Sequence, residues 1–249
     1  MLAVILLALL AASSAEDRIY NGTAGKPDLN NVVYLYSPNF GSCTGTVVSE
    51  HYILTAAHCL PPIPGPVQIY TRNLYHPDPS KLPTPAFQSL SVYSHLEYCE
   101  KSKLHDIGLI RVATPMGIPP VPLAANYSHP KDGWLRAAGY GSTKYLVVNA
   151  STGKVISFEN PKMLMETYLL GRSKDDCFND VYKIAFPDLH VICMYKQDST
   201  VLHGDSGGPA FAQGKDGRYY QVGVNVYILP SEYSPSAITC KLIFYNLLN

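Results

Sequence analysis

The chain has 249 residues, carries 19 basic and 19 acidic side chains for a formal net charge of zero, and is 47% apolar. That length suits one globular unit, or two small ones sharing an interface. Charge balance leaves no electrostatic footprint for nucleic acid or an anionic membrane, and the apolar content is that of a folded protein.

Leu2 to Ala12 is almost wholly apolar and leads into Ser13-Ser14-Ala15. The run is too short to span a bilayer and ends on small residues, so residues 1–15 are read as a cleaved secretory signal. Glu16-Asp17-Arg18 and then Ile19-Tyr20-Asn21-Gly22 follow. Short β-forming runs recur at 32–36, 44–48, 67–70, 107–112, 135–138 and 219–227, between clusters of Pro, Gly, Asn and Ser. This spacing predicts an all-β barrel or sandwich rather than βαβ units. The proline-rich stretch 61–85 reads as a long connection with a strand inside it. Residues 116–130 read as the crossing between two halves. A short C-terminal helix is expected over 241–248.

Six cysteines in a secreted chain point to disulfides rather than metal ligands, and spacing alone does not fix their connectivity. There is no C-x-x-C pair and no H-E-x-x-H run, so no metal and no cofactor is assigned. Asn21, Asn126 and Asn149 each open an N-x-S/T triplet and are candidate glycan acceptors on a secretory route. The 19 tyrosines outnumber the 7 phenylalanines and suit half-buried strands and interfaces, with no specific function attached.

Three segments carry chemistry. Ser206 lies in Gly204-Asp205-Ser206-Gly207-Gly208-Pro209, where few side chains crowd it. A serine hydroxyl is inert at neutral pH unless a neighbouring base takes its proton. His58 in Leu54-Thr55-Ala56-Ala57-His58-Cys59 can be that base, and Asp106, at the head of an apolar run, can orient it. Gly204 to Gly208 also satisfies G-x-S-x-G, but that elbow needs a histidine after its serine, and His203 is the last in the chain. The order His58, Asp106, Ser206 excludes an α/β-hydrolase triad built on this nucleophile. His105 and His203 are left outside the triad.

Together these motifs resemble the trypsin/chymotrypsin-like serine peptidase family over nearly all of the chain after residue 18. The resemblance implies an all-β fold of two six-stranded antiparallel β-barrels with a short C-terminal helix, the first barrel over about 19–120 and the second over about 121–240. It implies peptide-bond hydrolysis in the cleft between them, with Gly204 and Ser206 supplying oxyanion-hole N–H groups. It also implies that residues 16–18 form a short activation peptide, cut after Arg18, so that the new amine of Ile19 pairs with Asp205. Tyr20 and Asn21 depart from the family's activation sequence, and the inward turn of Ile19 that the resemblance implies makes Asn21 the least suited of the three glycan candidates.

Cys43–Cys59 and Cys177–Cys193 are the disulfides implied, which leaves Cys99 and Cys240 to pair. Leu202 stands where the family has another cysteine. Thr200 would lie at the floor of the primary substrate pocket, with Val226, Tyr227 and Ile228 along its wall, favouring small or apolar side chains. If the loop is shifted, Asp198 reaches the pocket instead and the preference becomes basic. Val226 also replaces a serine that in the family lies near the aspartate. The expected partners are protein or peptide substrates and protein protease inhibitors, met outside the cell by a monomer. The alternative is a catalytically silent homologue that acts as a secreted binding protein.

Overall fold

The computed structural model describes residues 19, 21–39, 41–60, 65–100, 104–125, 127–130, 132–143, 146–147, 155–157, 160–172, 191–197, 199–230 and 238–243. Strands in the first half are β1 (Thr23–Ala24), β2 (Val32–Ser37), β3 (Gly41–Val47), β4 (Tyr52–Thr55), β5 (Gln68–Tyr70), β6 (Phe87–Ser94) and β7 (Gly108–Val112). The second half contributes β8 (Trp134–Gly139), β9 (Leu146–Val147), β10 (Val155–Ser157), β11 (Met165–Arg172), β12 (Val191–Tyr195), β13 (Pro209–Gln213), β14 (Tyr219–Pro230) and β15 (Ile238–Ile243). Helical structure among the described residues is limited to short 3-10 turns.

β2 to β7 close into a six-stranded barrel in the order β2-β3-β4-β7-β6-β5. The second half forms a seven-stranded sheet, β1-β11-β12-β15-β14-β13-β8, in which β8 also pairs with β11. β9 and β10 make a separate hairpin.

β2 shows why its sequence is apolar without alternation. Successive strand residues point to opposite faces. Val33 and Leu35 enter the barrel core with Ile53, Ile69 and Ile110, while Val32 and Tyr34 join a second cluster with Tyr140, Leu164 and Phe211 from the other half. One strand thus serves the barrel interior and the interface between halves. A third cluster, built on Leu135, Leu169, Met194 and Val222, fills the second half. Each fully buried aliphatic side chain contributes about 1.5–3 kcal/mol relative to exposure.

The crossing expected at 116–130 lies between β7 and β8, apart from Asn126, which is outside the described residues. It is stitched to both halves: Val121 N donates to Val47 O at 3.0 Å, and Ala124 N donates to Gln221 O at 3.0 Å. The 61–85 connection contains β5 as its strand. The expected C-terminal helix is corrected. Residues 241–243 are extended in β15, between β12 on one side and β14 on the other. Two ladders of backbone hydrogen bonds outweigh the weak helical preference of so short a segment. The rest of 241–248 lies outside the described residues.

Candidate active site

His58 sits in a 3-10 turn, Ala57–Cys59, that follows β4 directly. The turn is pinned by a Cys43–Cys59 disulfide to β3, with Cα atoms 6.1 Å apart. Asp106 precedes β7, the strand hydrogen-bonded to β4, so the ladder carries the two residues to the same end of the barrel. The Asp106 side chain is fully buried and grips His58 at two points. It accepts the His58 backbone N–H on Oδ1 at 2.8 Å and meets His58 Nδ1 with Oδ2 at 2.7 Å. With a carboxylate as acceptor, Nδ1 carries the proton and Nε2 holds the lone pair. The ring remains 21% exposed.

The serine loop is delivered by β13 and β14 of the other half and locked onto β3. Thr44 N donates to Ser206 O at 2.8 Å, and Cys59 Sγ lies 3.5 Å from the same oxygen. Thr44 Oγ1 donates to Gly204 O at 2.8 Å and accepts from Tyr140 N at 3.1 Å. Thr55 Oγ1 donates to Thr44 O at 2.9 Å. Gly207, at φ +79°, must be glycine: a Cβ there would stand 2.0 Å from Thr55 Oγ1 and 2.4 Å from Thr44 O. Its N–H donates to Asn225 O at 2.7 Å, tying the loop to β14. Gly204, at φ +94°, holds a backbone conformation that L side chains rarely adopt.

Asp205 is wholly buried and accepts hydrogen bonds from Gly141 N and Leu202 N, each at 2.8 Å. Desolvation pushes its carboxyl up to about 7, against the pull of those two donors. Gly141 makes the approach possible, since a Cβ there would lie 2.4 Å from Asp205 Cγ. Ile19 is also fully buried, while Asn21 is exposed at φ +54°.

Thr200 is buried, with its hydroxyl donating to Val201 O at 3.2 Å. Val226 is buried in the barrel's cluster. The backbones of Tyr227 and Ile228 lie in β14, but their side chains are outside the described set, as is that of Cys240 in β15. Cys193 is disulfide-bonded, and Cys99 is exposed in the loop between β6 and β7. The segments expected to be signal and activation peptide, Arg18 included, lie outside the described residues, as do Asn126, Asn149, Cys177 and Asp198. His203 is exposed, and its carbonyl accepts from Ser142 N at 2.7 Å.

The sequence reading missed Thr44, Thr55 and the Gly139-Tyr140-Gly141 run. The repeated glycine flanking a tyrosine was the one available signal.

The Trypsin family model matches residues 21–241. The chain belongs to the trypsin family. The chain is 25% identical to the chymase of Rattus norvegicus over 250 aligned positions, covering 94% of this chain and 91% of that protein. It is 27% identical to the chymase of Mus musculus over 223 positions, covering 84% and 83% respectively. It is also 27% identical to Serine protease 7 of Drosophila melanogaster over 242 positions, covering 85% of this chain and 58% of that protein. Membership gives a common frame to the motifs around His58, Asp106 and Ser206, all of which fall inside the matched span.

Proposed function

We propose that this serine endopeptidase hydrolyses peptide bonds by acyl transfer through Ser206. His58 takes the Ser206 proton as the hydroxyl attacks the scissile carbonyl, then gives it to the leaving amine. Asp106 holds the imidazole in the required tautomer and stabilises its protonated form. The observation that carries this reading is the two-point grip of Asp106 on the backbone and ring of His58. The N–H groups of Gly204 and Ser206 receive the developing oxyanion, where one such donor is worth about 2.7–4 kcal/mol. Thr44, bonded to both residues through their carbonyls, supports that geometry.

Activation follows the same chemistry. Cleavage after Arg18 frees a cationic amine at Ile19, which pairs with Asp205. A buried carboxyl pushed up to about 7 is a group that gains from an ammonium neighbour. Residues 1–15 direct the chain to secretion, and residues 16–18 are the activation peptide. The substrate is protein or peptide, with small or apolar side chains entering a pocket floored by Thr200.

The test uses protein with a verified Ile19 amino terminus, an active-site-directed fluorophosphonate and a peptide library varied at the residue before the cut. Labelling and cleavage after Ala, Val or Leu, both lost in Ser206→Ala, support the whole reading. Cleavage confined to Arg or Lys moves the pocket to Asp198. No labelling above the Ser206→Ala control moves the function to a silent binding protein.

A further inference from the structure

We propose that His95, Glu97 and His105 form a binding site for a divalent transition-metal cation, with zinc best suited to the donor set. The three residues lie on the loop joining β6 to β7. Its ends are drawn together by His95 N donating to Ile107 O at 3.0 Å and Cys99 N donating to Leu104 O at 3.1 Å. Cys99 and Leu104 pair as an antiparallel bridge, which brings residues on opposite arms of the loop face to face. The His95 and His105 rings stack with centroids 4.8 Å apart and planes 13° from parallel. Glu97 Oε2 lies 3.7 Å from His105 Nε2.

One donor atom from each of the three residues lies within 4.8 Å of the others. Tetrahedral zinc with bonds of about 2.0–2.1 Å sets its ligand atoms roughly 3.4 Å apart. The His105–Glu97 pair is already near that spacing, and the His95 ring joins it by turning out of the stack, so that its in-plane lone pair meets the same ion. Two imidazoles and one carboxylate, with water in the fourth place, are a set that zinc accepts. The Glu97 side chain is 73% exposed and that of His105 is 32% exposed, so an ion and its water can enter from solvent. His105 adopts φ +54°, an uncommon left-handed conformation for a residue other than glycine, and in it the ring covers His95.

A second cluster, Cys43, His58 and Cys59, also brings its donor atoms close together, but its sulfurs are joined in a disulfide and are no longer thiolate ligands. The His95 site escapes sequence templates because its ligands are split as H-x-E and a histidine across a loop. It lies one residue from Asp106, against the end of β7, and would clasp the two arms of the loop together.

The site is tested by calorimetric titration of the Ser206→Ala chain with zinc chloride in a non-chelating buffer, alongside thermal unfolding with and without zinc. One equivalent binding in the micromolar range, with a raised unfolding temperature, is expected. His95→Gln and Glu97→Gln should each weaken binding at least tenfold and remove the thermal shift. Cys99→Ser should retain both. The absence of stoichiometric binding, its persistence in both loop variants, or its loss in Cys99→Ser would overturn the assignment. Neither readout involves peptide hydrolysis, so this proposal and the peptidase reading can fail separately.

Discussion

Asp205 should make the uncleaved and cleaved chains respond to pH in different ways. In the uncleaved chain its carboxyl is wholly buried, with two backbone donors, and burial raises it to about 7 from an ordinary value of 3.8. Below the ordinary value both the folded and unfolded chains hold the proton, and the group is neutral in its effect on pH slope. Between the two values the unfolded chain ionises while the folded one does not. Stability from this group therefore falls as pH rises, by about 1.4 kcal/mol per unit and about 4 kcal/mol in all by pH 7. An ammonium from Ile19 favours the carboxylate and removes that loss.

The assay is urea unfolding from pH 4 to 8 on Arg18→Gln and on cleaved protein, both carrying Ser206→Ala. Asp205→Asn in each background subtracts every other titrating group. The difference from Asp205→Asn should shrink by several kcal/mol with rising pH in the uncleaved chain, and stay level or grow in the cleaved one. Parallel profiles in the two forms would refute the linkage between Ile19 and Asp205.

Thr44→Val keeps the shape of a fully buried side chain but orphans Gly204 O and Tyr140 N. Each orphan should cost about 1–3 kcal/mol in denaturant unfolding, and kcat should fall about tenfold or more while KM changes little. Arg136→Met strips the guanidinium from Glu166, which is 2% exposed, and from a bidentate contact with Asp28 at 2.6 and 2.9 Å. Thermal and urea unfolding should show a loss of about 3–5 kcal/mol, partly recovered when Glu166→Met is added. Tyr140→Phe loses a single 3.3 Å bond to Val32 O and should cost about 1 kcal/mol, whereas Tyr140→Ala should cost about 3–5 kcal/mol with a disproportionate loss of kcat.

The residues proposed to perform the chemistry were legible because each sits in a short local motif. Gly204 to Pro209, the Ala57-His58-Cys59 turn and the aspartate heading β7 are all readable within a few positions. The scaffold that aligns them was not. Thr44 and Gly204 are 160 positions apart, and Thr44 and Tyr140 are 96 apart, so no local pattern joins them. β6 was hidden for a different reason. The register shifts between Ser89 and Ser91, which leaves Leu90 57% exposed and breaks the period-two pattern that would have marked the strand. The end of β14 and the start of β15 were not read as strand, and 241–243, expected to open a helix, took the strand that their neighbours offered.

The excess of tyrosine gains a physical meaning only in the folded chain. Tyr34 of β2 contacts Tyr75 at 4.9 Å and Tyr140 at 5.7 Å between ring centroids, and Tyr75 and Tyr140 lie 4.7 Å apart. These rings fill the seam between halves, where large apolar area and a polar tip are both needed. Tyr140 is also the residue between the two glycines that let Asp205 pack, and its backbone N–H is held by Thr44. Packing at the seam, burial of Asp205 and placement of Gly204 are therefore linked through Thr44 and Tyr140. The Ile19 amine proposed to arrive at Asp205 would act on a loop already fixed to the barrel that carries His58, through Thr44 N to Ser206 O and Thr44 Oγ1 to Gly204 O.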